Sequence, residues 1–263
     1  MVNQLADRLS LKSKNRLLRV LHQAGDLSAK ICLKHFGKSP TFSKKPDRTP
    51  VTVADRMAER TIRKTIKSEF RGHWIWGEEF GEEGDKNSEF RWWIDPIDGT
   101  LQYIRGLPFW GSVIGVEYQG EVIAGLINHP AIDLRIWAAK DLGCFANGKT
   151  CRVSNIKKLS DATVAFGSLK NLKPADIKKV SKICRTAYDN RGSLDIFSHS
   201  LVIQGHLDAM MEFKLGPHDI SAVKICLEEA GGKFTDLKNR KTIYAGNAIS
   251  SNSFIHNSLL RVQ

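Results

Sequence analysis

The stretch that most constrains this chain is Trp92-Trp93-Ile94-Asp95-Pro96-Ile97-Asp98-Gly99-Thr100. Three apolar, β-favouring residues describe a buried strand, with Asp95 where the strand runs out. Pro96 has no N–H for a ladder, so the backbone is expected to turn there. Asp98 follows three residues after Asp95, and Gly99-Thr100 can open a helical turn whose free N–H groups suit a phosphate. Two carboxylates beside an anion cradle are what hard divalent cations and phosphate esters both require. A solvated acidic turn is the plainer alternative, and the buried run ahead of it argues against that.

A chain of 263 residues accommodates one large or two modest domains with real cores. No window approaches the ~18 consecutive apolar residues of a membrane helix. Asp7 and Arg8 stand early with no apolar segment beside them, so a secretory signal is not expected. The five cysteines (Cys32, Cys144, Cys151, Cys184, Cys226) are scattered without a CxxC, which fits a reducing cytoplasm better than a disulfide framework or zinc site. The net charge of +12 is concentrated early: residues 1–71 hold 17 Lys/Arg against 6 Asp/Glu. Such a face can touch nucleic acid or steer a phosphorylated substrate. It lacks aromatic interleaving and any nucleic-acid motif, and so reads as a solvated helix face. A nucleic-acid-associated protein is the non-enzyme alternative.

In chain order, Leu17, Leu18, Leu21, Ala24, Ile31, Cys32 and Phe36 give an amphipathic helix stopped near Gly37. Lys44 to Pro50 reads as a polar loop. A second helix starts at Thr52, with Asp55 in a variant of the capping box and Ala54, Met57, Ala58, Ile62 and Ile66 as its buried stripe. Asp55 can cap that helix, lean toward a neighbouring site, or do both. His73 to Trp76 is a short strand, and Glu78, immediately after it, is the acid in that loop best placed to reach a metal. Ser112–Tyr118 and Glu121–Asn128 flank Gln119-Gly120, a tight hairpin; Leu134–Ala139 is a further strand; Asn147-Gly148 joins 144–146 to Lys149–Val153 in a second hairpin. From about residue 155 the pattern becomes mixed: a strand at Thr163–Phe166, a basic helix from Lys173 to Tyr188, and Asp195 ahead of a helical run through Ile203. A strand at Leu207–Phe213 contains Glu212. Asp219 is placed to N-cap a helix ended by Gly231-Gly232, and strands near Phe234 and over Ile243–Ile249 precede a last helix. Residues 1–154 therefore form an N-terminal α+β half and 155–263 a C-terminal α/β half of one catalytic unit.

Gly77-Glu78-Glu79, Asp95-Pro96-Ile97-Asp98-Gly99-Thr100, and Asp219 followed by Glu229-Ala230-Gly231-Gly232 resemble the signatures of the inositol monophosphatase superfamily of Mg²⁺-dependent, lithium-sensitive phosphatases. Thr49-Pro50-Val51-Thr52-Val53-Ala54-Asp55 and the segment from Gly143 to Gly148 extend the likeness over nearly the whole chain. The resemblance implies the α/β (α+β) class, a layered αβαβα sandwich of the inositol monophosphatase and fructose-1,6-bisphosphatase type, and a homodimer. It implies that Glu78, Asp95 and the Ile97 carbonyl hold one Mg²⁺, that Asp95, Asp98 and Asp219 hold a second, and that a third shares Glu78. Thr100, oriented by Asp55, then activates the attacking water together with Glu78, and the N–H groups of Gly99 and Thr100 hold phosphate oxygens. Pro217-His218-Asp219, Gly106 to Gly111, and Arg191-Gly192-Ser193-Leu194-Asp195 are more similar to the histidinol-phosphatase branch. On that likeness L-histidinol phosphate is the favoured small phosphorylated metabolite, and Arg191, Asp195 and Glu212 are the substrate-side candidates. Inositol 1-phosphate and, behind it, 3′-phosphoadenosine 5′-phosphate are the alternatives.

Overall fold

The computed structural model describes residues 9–38, 42–45, 50–192 and 194–262. Helix α1 (Leu11–His35) begins before its apolar stripe does, because Ser10 caps it and accepts from the Ser13 N–H at 3.1 Å. Where a polar loop is expected, β1 (Phe42–Lys44) and β2 (Pro50–Thr52) pair as an antiparallel ladder. The rest of that expected loop, residues 46–49, lies outside the described residues, as do Asp7, Arg8 and Ser193. Helix α2 (Val53–Glu69) closes its capping box, the Asp55 carboxylate accepting from the Thr52 N–H at 2.7 Å. Met57 departs from expectation and is 39% exposed. The buried face of α2 keeps Ala54, Ala58, Ile62 and Ile66 and extends on the other side to Asp55, Glu59 and Arg63.

The first sheet takes β3 (Trp74–Gly77), β4 (Gly81–Glu83) and β5 (Phe90–Asp98). After α3 (Thr100–Ile104) it continues with β6 (Gly111–Tyr118), β7 (Glu121–His129), β8 (Leu134–Ala139), β9 (Gly143–Ala146) and β10 (Lys149–Thr150). Its order is β10-β9-β8-β7-β6-β5-β3-β4, with only the β3/β5 pair parallel. Both expected hairpin turns have positive φ at their two central residues, 50° and 86° at Gln119-Gly120 and 47° and 79° at Asn147-Gly148. β10 ends at Thr150, short of Val153, because the Val153 N–H is drawn away to the Ala230 carbonyl at 3.1 Å.

Pro96 does not end β5. Asp95 opposes Val113 and Asp98 opposes Gly111, so Pro96-Ile97 face the single residue Ser112 as a bulge. The missing N–H of proline is tolerated in that bulge, and Ser112 Oγ donates to the Pro96 carbonyl at 2.7 Å.

The second sheet takes β11 (Thr163–Phe166), followed by α4 (Pro174–Thr186), β12 (Asp189–Gly192), α5 (Ile196–Ile203) and β13 (Ala209–Phe213). Then come α6 (Pro217–Glu229), β14 (Gly232–Thr235), β15 (Asn247–Asn252) and α7 (His256–Arg261). Its order is β12-β11-β13-β15-β14, parallel across β12/β11/β13 and antiparallel elsewhere. The edge strand β12 has no apolar alternation to announce it. β15 starts at Asn247 rather than Ile243: Gly246 turns the chain at φ 73°, and the Tyr244 hydroxyl is bonded to Glu117 at 2.5 Å. Asp219 is not the N-cap of α6; Gly216 is, and Asp219, three residues on, accepts the Gly216 N–H at 2.6 Å.

The layers follow from which faces are apolar. Leu21, Ile62 and Ile66 of α1 and α2 pack on Trp92, Ile94 and Ile114. Helices α5 and α6 fill the space between the sheets, against Trp93, Val113 and Ile127 on one side and Met210 and Ala248 on the other. Val180, Ile183 and Leu259 of α4 and α7 cover the outer face of the second sheet. This is the αβαβα sandwich the resemblance implies. Among the described residues no helix is long and apolar enough to cross a membrane. Because side chains alternate along a strand, Asp95 leaves β5 on the face of Trp93, toward α6.

Helix α6 comes close to the sheet over a bare patch made by the cross-strand pair Gly115 and Gly125. A Cβ on Gly115 would lie 2.1 Å from Ser221 Oγ, and one on Gly125 2.7 Å from the Ala222 backbone. Gly115→Ala therefore has to push α6 outward, and we expect a loss of ~1–3 kcal/mol in urea unfolding. Unchanged stability would show that the contact is not tight.

Candidate metal centre

Three carboxylates from two distant parts of the chain converge. Asp95 and Asp98 flank the bulge, Asp219 lies in the first turn of α6, and one oxygen of each lies within 4.8 Å of the others. Each is held by backbone. Asp95 Oδ1 accepts from the Ile97 N–H at 2.9 Å, Asp98 Oδ1 from the Ile196 N–H at 2.9 Å, and Asp219 Oδ2 from Gly216. Gly99, at φ 83°, makes the sharp turn from β5 into α3 that only glycine adopts without strain. Thr100 opens α3, with its hydroxyl donating back to the Ile97 carbonyl at 3.0 Å. It is therefore bonded to Ile97 and not to Asp55, the partner that the resemblance implies.

Asp55 is fully buried beside this cluster. Its Oδ2 closes the capping box, accepting from both the N–H and the hydroxyl of Thr52, whereas its Oδ1 has no hydrogen-bond partner among the described residues. Both readings of Asp55 are thus compatible with the structure: one oxygen caps, the other is free to act. Glu78 is not within the three-carboxylate group. Its N–H continues the β3/β5 pairing to the Ile94 carbonyl at 3.1 Å, and its Oε1 is taken by Lys45 Nζ at 2.7 Å. The same ammonium reaches Glu79 Oε1 at 2.6 Å.

Glu59 explains how that acidic turn keeps its shape. It is fully buried, pairs with Arg63 at 2.8 Å, and accepts the backbone N–H groups of Glu79 at 2.7 Å and Phe80 at 3.2 Å. A Cβ on Gly77 would meet its carboxylate at 2.2 Å, so the turn needs glycine there. Lys45, Glu59 and Glu79 were not among the sequence candidates. Only the i, i+4 spacing of Glu59 and Arg63 on α2 hinted at a pair.

On the side of the second sheet, Asp195 precedes α5 with φ 47° and ψ −129°, a conformation costly for any residue but glycine. Its Oδ2 accepts from Gln102 Nε2 at 2.6 Å. Glu212 accepts from the buried His199 ring at 2.8 Å. Arg191 is exposed, and its bonds are local, to Asp189 at 2.6 Å and the Asn190 carbonyl at 2.8 Å. His218 packs against Trp76 with the rings tilted and their centroids 4.5 Å apart, and lies 3.2 Å from Asp219 Oδ1. Burial lowers its pKa to about 4.

The electrostatics describe an unbalanced cluster. Burial, then the charges of Glu78, Asp98 and Asp219, raises Asp95 well above the usual carboxylate range. Burial, then Asp195, Asp219 and Glu212, does the same to Asp98. Asp219 is pushed up to about 8, chiefly by burial, and Asp195 and Asp55 each to about 6 for the same first reason. Glu79 rises to about 7 by burial despite Lys45. A hard divalent cation is the ligand that would let such carboxylates ionise together, and an all-oxygen donor set suits Mg²⁺ or Mn²⁺. The cluster, with Glu78 beside it, fits such a metal.

A family model described as the inositol monophosphatase family matches residues 13–262. The chain is 36% identical over 247 residues to a histidinol-phosphatase of Chlorobaculum parvum, covering 92% of this chain and 95% of that protein. It is 31% identical over 259 residues to a fructose-1,6-bisphosphatase/inositol-1-monophosphatase of Aquifex aeolicus, covering 96% and 97%. Among solved structures, the extragenic suppressor protein suhB from Bartonella henselae superposes with a TM-score of 0.89 at 27% identity, over 94% of this chain and 98% of that one.

From about pH 6.5, where the buried histidines are mostly neutral in both states, up to about 8, these raised carboxyl pKa values mean that the folded chain binds more protons than the unfolded chain. Stability without divalent ions should therefore fall as pH rises through that window, and Mg²⁺ at pH 8 should restore it, read as Tm. Asp98→Asn can keep the Ile196 contact while removing one charge. It should be at least as stable as the parent without metal, lose the Mg²⁺ gain, and abolish turnover. A parent Tm indifferent to Mg²⁺ at pH 8, or turnover of the variant within a few-fold of the parent, would contradict the metal assignment.

Proposed function

The chain belongs to the inositol monophosphatase family of metal-dependent phosphatases, and on that premise we propose that it uses Mg²⁺ to hydrolyse L-histidinol phosphate. In this reading Asp95, Asp98 and Asp219 would hold one ion, and Glu78, Asp95 and the Ile97 carbonyl would hold another. Bound there, the ions would supply an acidified water and charge neutralisation at phosphorus. The N–H groups of Gly99 and Thr100, at the first turn of α3, hold phosphate oxygens. Thr100 Oγ1 and Asp55 Oδ1 handle the proton of the attacking water. Asp55 suits that task, being buried, without a partner at Oδ1 among the described residues, and held at about 6, near the pH at which a base is needed.

The observation that carries the substrate choice is the acidic wall opposite the bulge. Asp195 and Glu212 both bear on Asp98, and Asp195 keeps a strained backbone there. A wall of carboxylates favours a leaving alcohol that carries a cation, and histidinol carries an ammonium group. The same wall disfavours 3′-phosphoadenosine 5′-phosphate, whose second phosphate would add repulsion. Inositol 1-phosphate is the second reading, because both acids can also accept sugar-like hydroxyls and the Aquifex relative carries that activity in its name.

A phosphate-release panel with the three esters decides among them. We expect kcat/KM for L-histidinol phosphate to exceed that for inositol 1-phosphate at least tenfold, about 1.4 kcal/mol at the transition state. The reverse preference would replace the substrate while leaving the phosphatase assignment in place.

A further inference from the structure

We propose that His199 is a positioning residue that presents Glu212 to the substrate and thereby sets the preference among phosphate esters. The proposal rests on the reading of Glu212 as part of the substrate wall.

His199 lies one helical turn beyond Asp195 on α5, on the side facing the second sheet, and is almost completely buried. Its two ring nitrogens span two strands. Nδ1 meets Ser250 Oγ on β15 at 2.9 Å, and Nε2 meets Glu212 Oε2 on β13 at 2.8 Å. The register explains the reach. Met210 opposes Ser250 and Glu212 opposes Ala248, so Glu212 and Ser250 share the inner face of the sheet, the face that carries α5. A carboxylate has no proton to give, so the Nε2 proton points at Glu212 and the ring fixes that oxygen.

Glu212 is also confined from the other side. Its stem lies across Gly167, where a Cβ would come within 3.0 Å of Cγ and 3.3 Å of Oε1. One carboxylate oxygen is thus committed to the imidazole, and the other lies over a residue without a side chain. The charge of Glu212 bears on Asp98, Asp195 and Asp219 together, which puts it inside the acidic cluster rather than behind it. Without the His199 donor the carboxylate is free to rotate toward or away from the cluster, and its contact with a substrate ammonium or hydroxyl loses direction. Among the described residues the hydrogen bonds of His199 run to Ser250 and Glu212 and not to Asp95, Asp98, Asp219 or Thr100.

The test compares L-histidinol phosphate with p-nitrophenyl phosphate, whose leaving group has no ammonium or aliphatic hydroxyl. His199→Phe keeps the ring volume but has no donor, and His199→Gln keeps a nitrogen donor at similar reach. We expect His199→Phe to raise KM for L-histidinol phosphate about tenfold, with kcat and the kcat/KM for p-nitrophenyl phosphate within about twofold of the parent. His199→Gln should recover most of the loss, and His199→Phe should add nothing in a Glu212→Gln background. Where the phenylalanine variant does not fold, His199→Asn, whose shorter side chain falls short of Glu212, carries the same expectation. An equal loss on both esters, or a full additional loss without Glu212, would overturn the proposal. If the parent prefers another ester, that ester takes the place of L-histidinol phosphate in the same comparison, so failure of the substrate reading remains separable from failure of this one.

Discussion

The mutual repulsion of Asp95, Asp98 and Asp219 is the constraint around which the rest of the structure is arranged. Three acids with oxygens so close would separate in a free chain. Here the strand before the bulge is buried on both faces, with Trp92 and Ile94 under α1 and α2 and Trp93 under α6. The bulge then turns two carboxylates out within four residues, each tied to a backbone N–H. Asp219 arrives on the first turn of α6, where the helix dipole favours negative charge. The Gly115–Gly125 pair lets that helix approach. Packing energy from the central layer holds the acids where electrostatics alone would not.

The edges of the cluster differ in kind. On the side of Glu78 the structure supplies a cation, Lys45, and a buried acid, Glu59, that grips the backbone of the turn. Burial opposes the charge on Lys45, but Glu78 and Glu79 together raise its pKa well above the ordinary lysine value. On the side of the second sheet, the Gln102 amide donates to Asp195 and the His199 imidazole bonds Glu212.

Much of this was legible from local sequence. The Trp92–Thr100 run, the Gln119-Gly120 and Asn147-Gly148 turns, and the Thr163–Phe166 strand depend on neighbouring residues, and the structure has them where the sequence puts them. Departures arose where tertiary contacts overrode local rules. Pro96 stays within β5 because Ser112 satisfies its carbonyl, and Met57 is exposed because α2 buries a Glu–Arg pair instead. Asp219 lies three residues past the N-cap of its helix rather than at it, and Gly216 carries no capping side chain to mark the boundary. Lys45, Gln102 and His199 gave no signal, because each meets its carboxylate from another element, across 33, 93 and 13 residues of sequence. Arg191, prominent in the motif, bonds among the described residues to Asp189 and the Asn190 carbonyl, within its own strand.

The most direct measurement is an anomalous-difference map from crystals grown with Mn²⁺ in place of Mg²⁺. The account predicts one peak among Asp95, Asp98 and Asp219 and a second beside Glu78. Mn²⁺ bound elsewhere, or no ordered peak among these carboxylates, would contradict it.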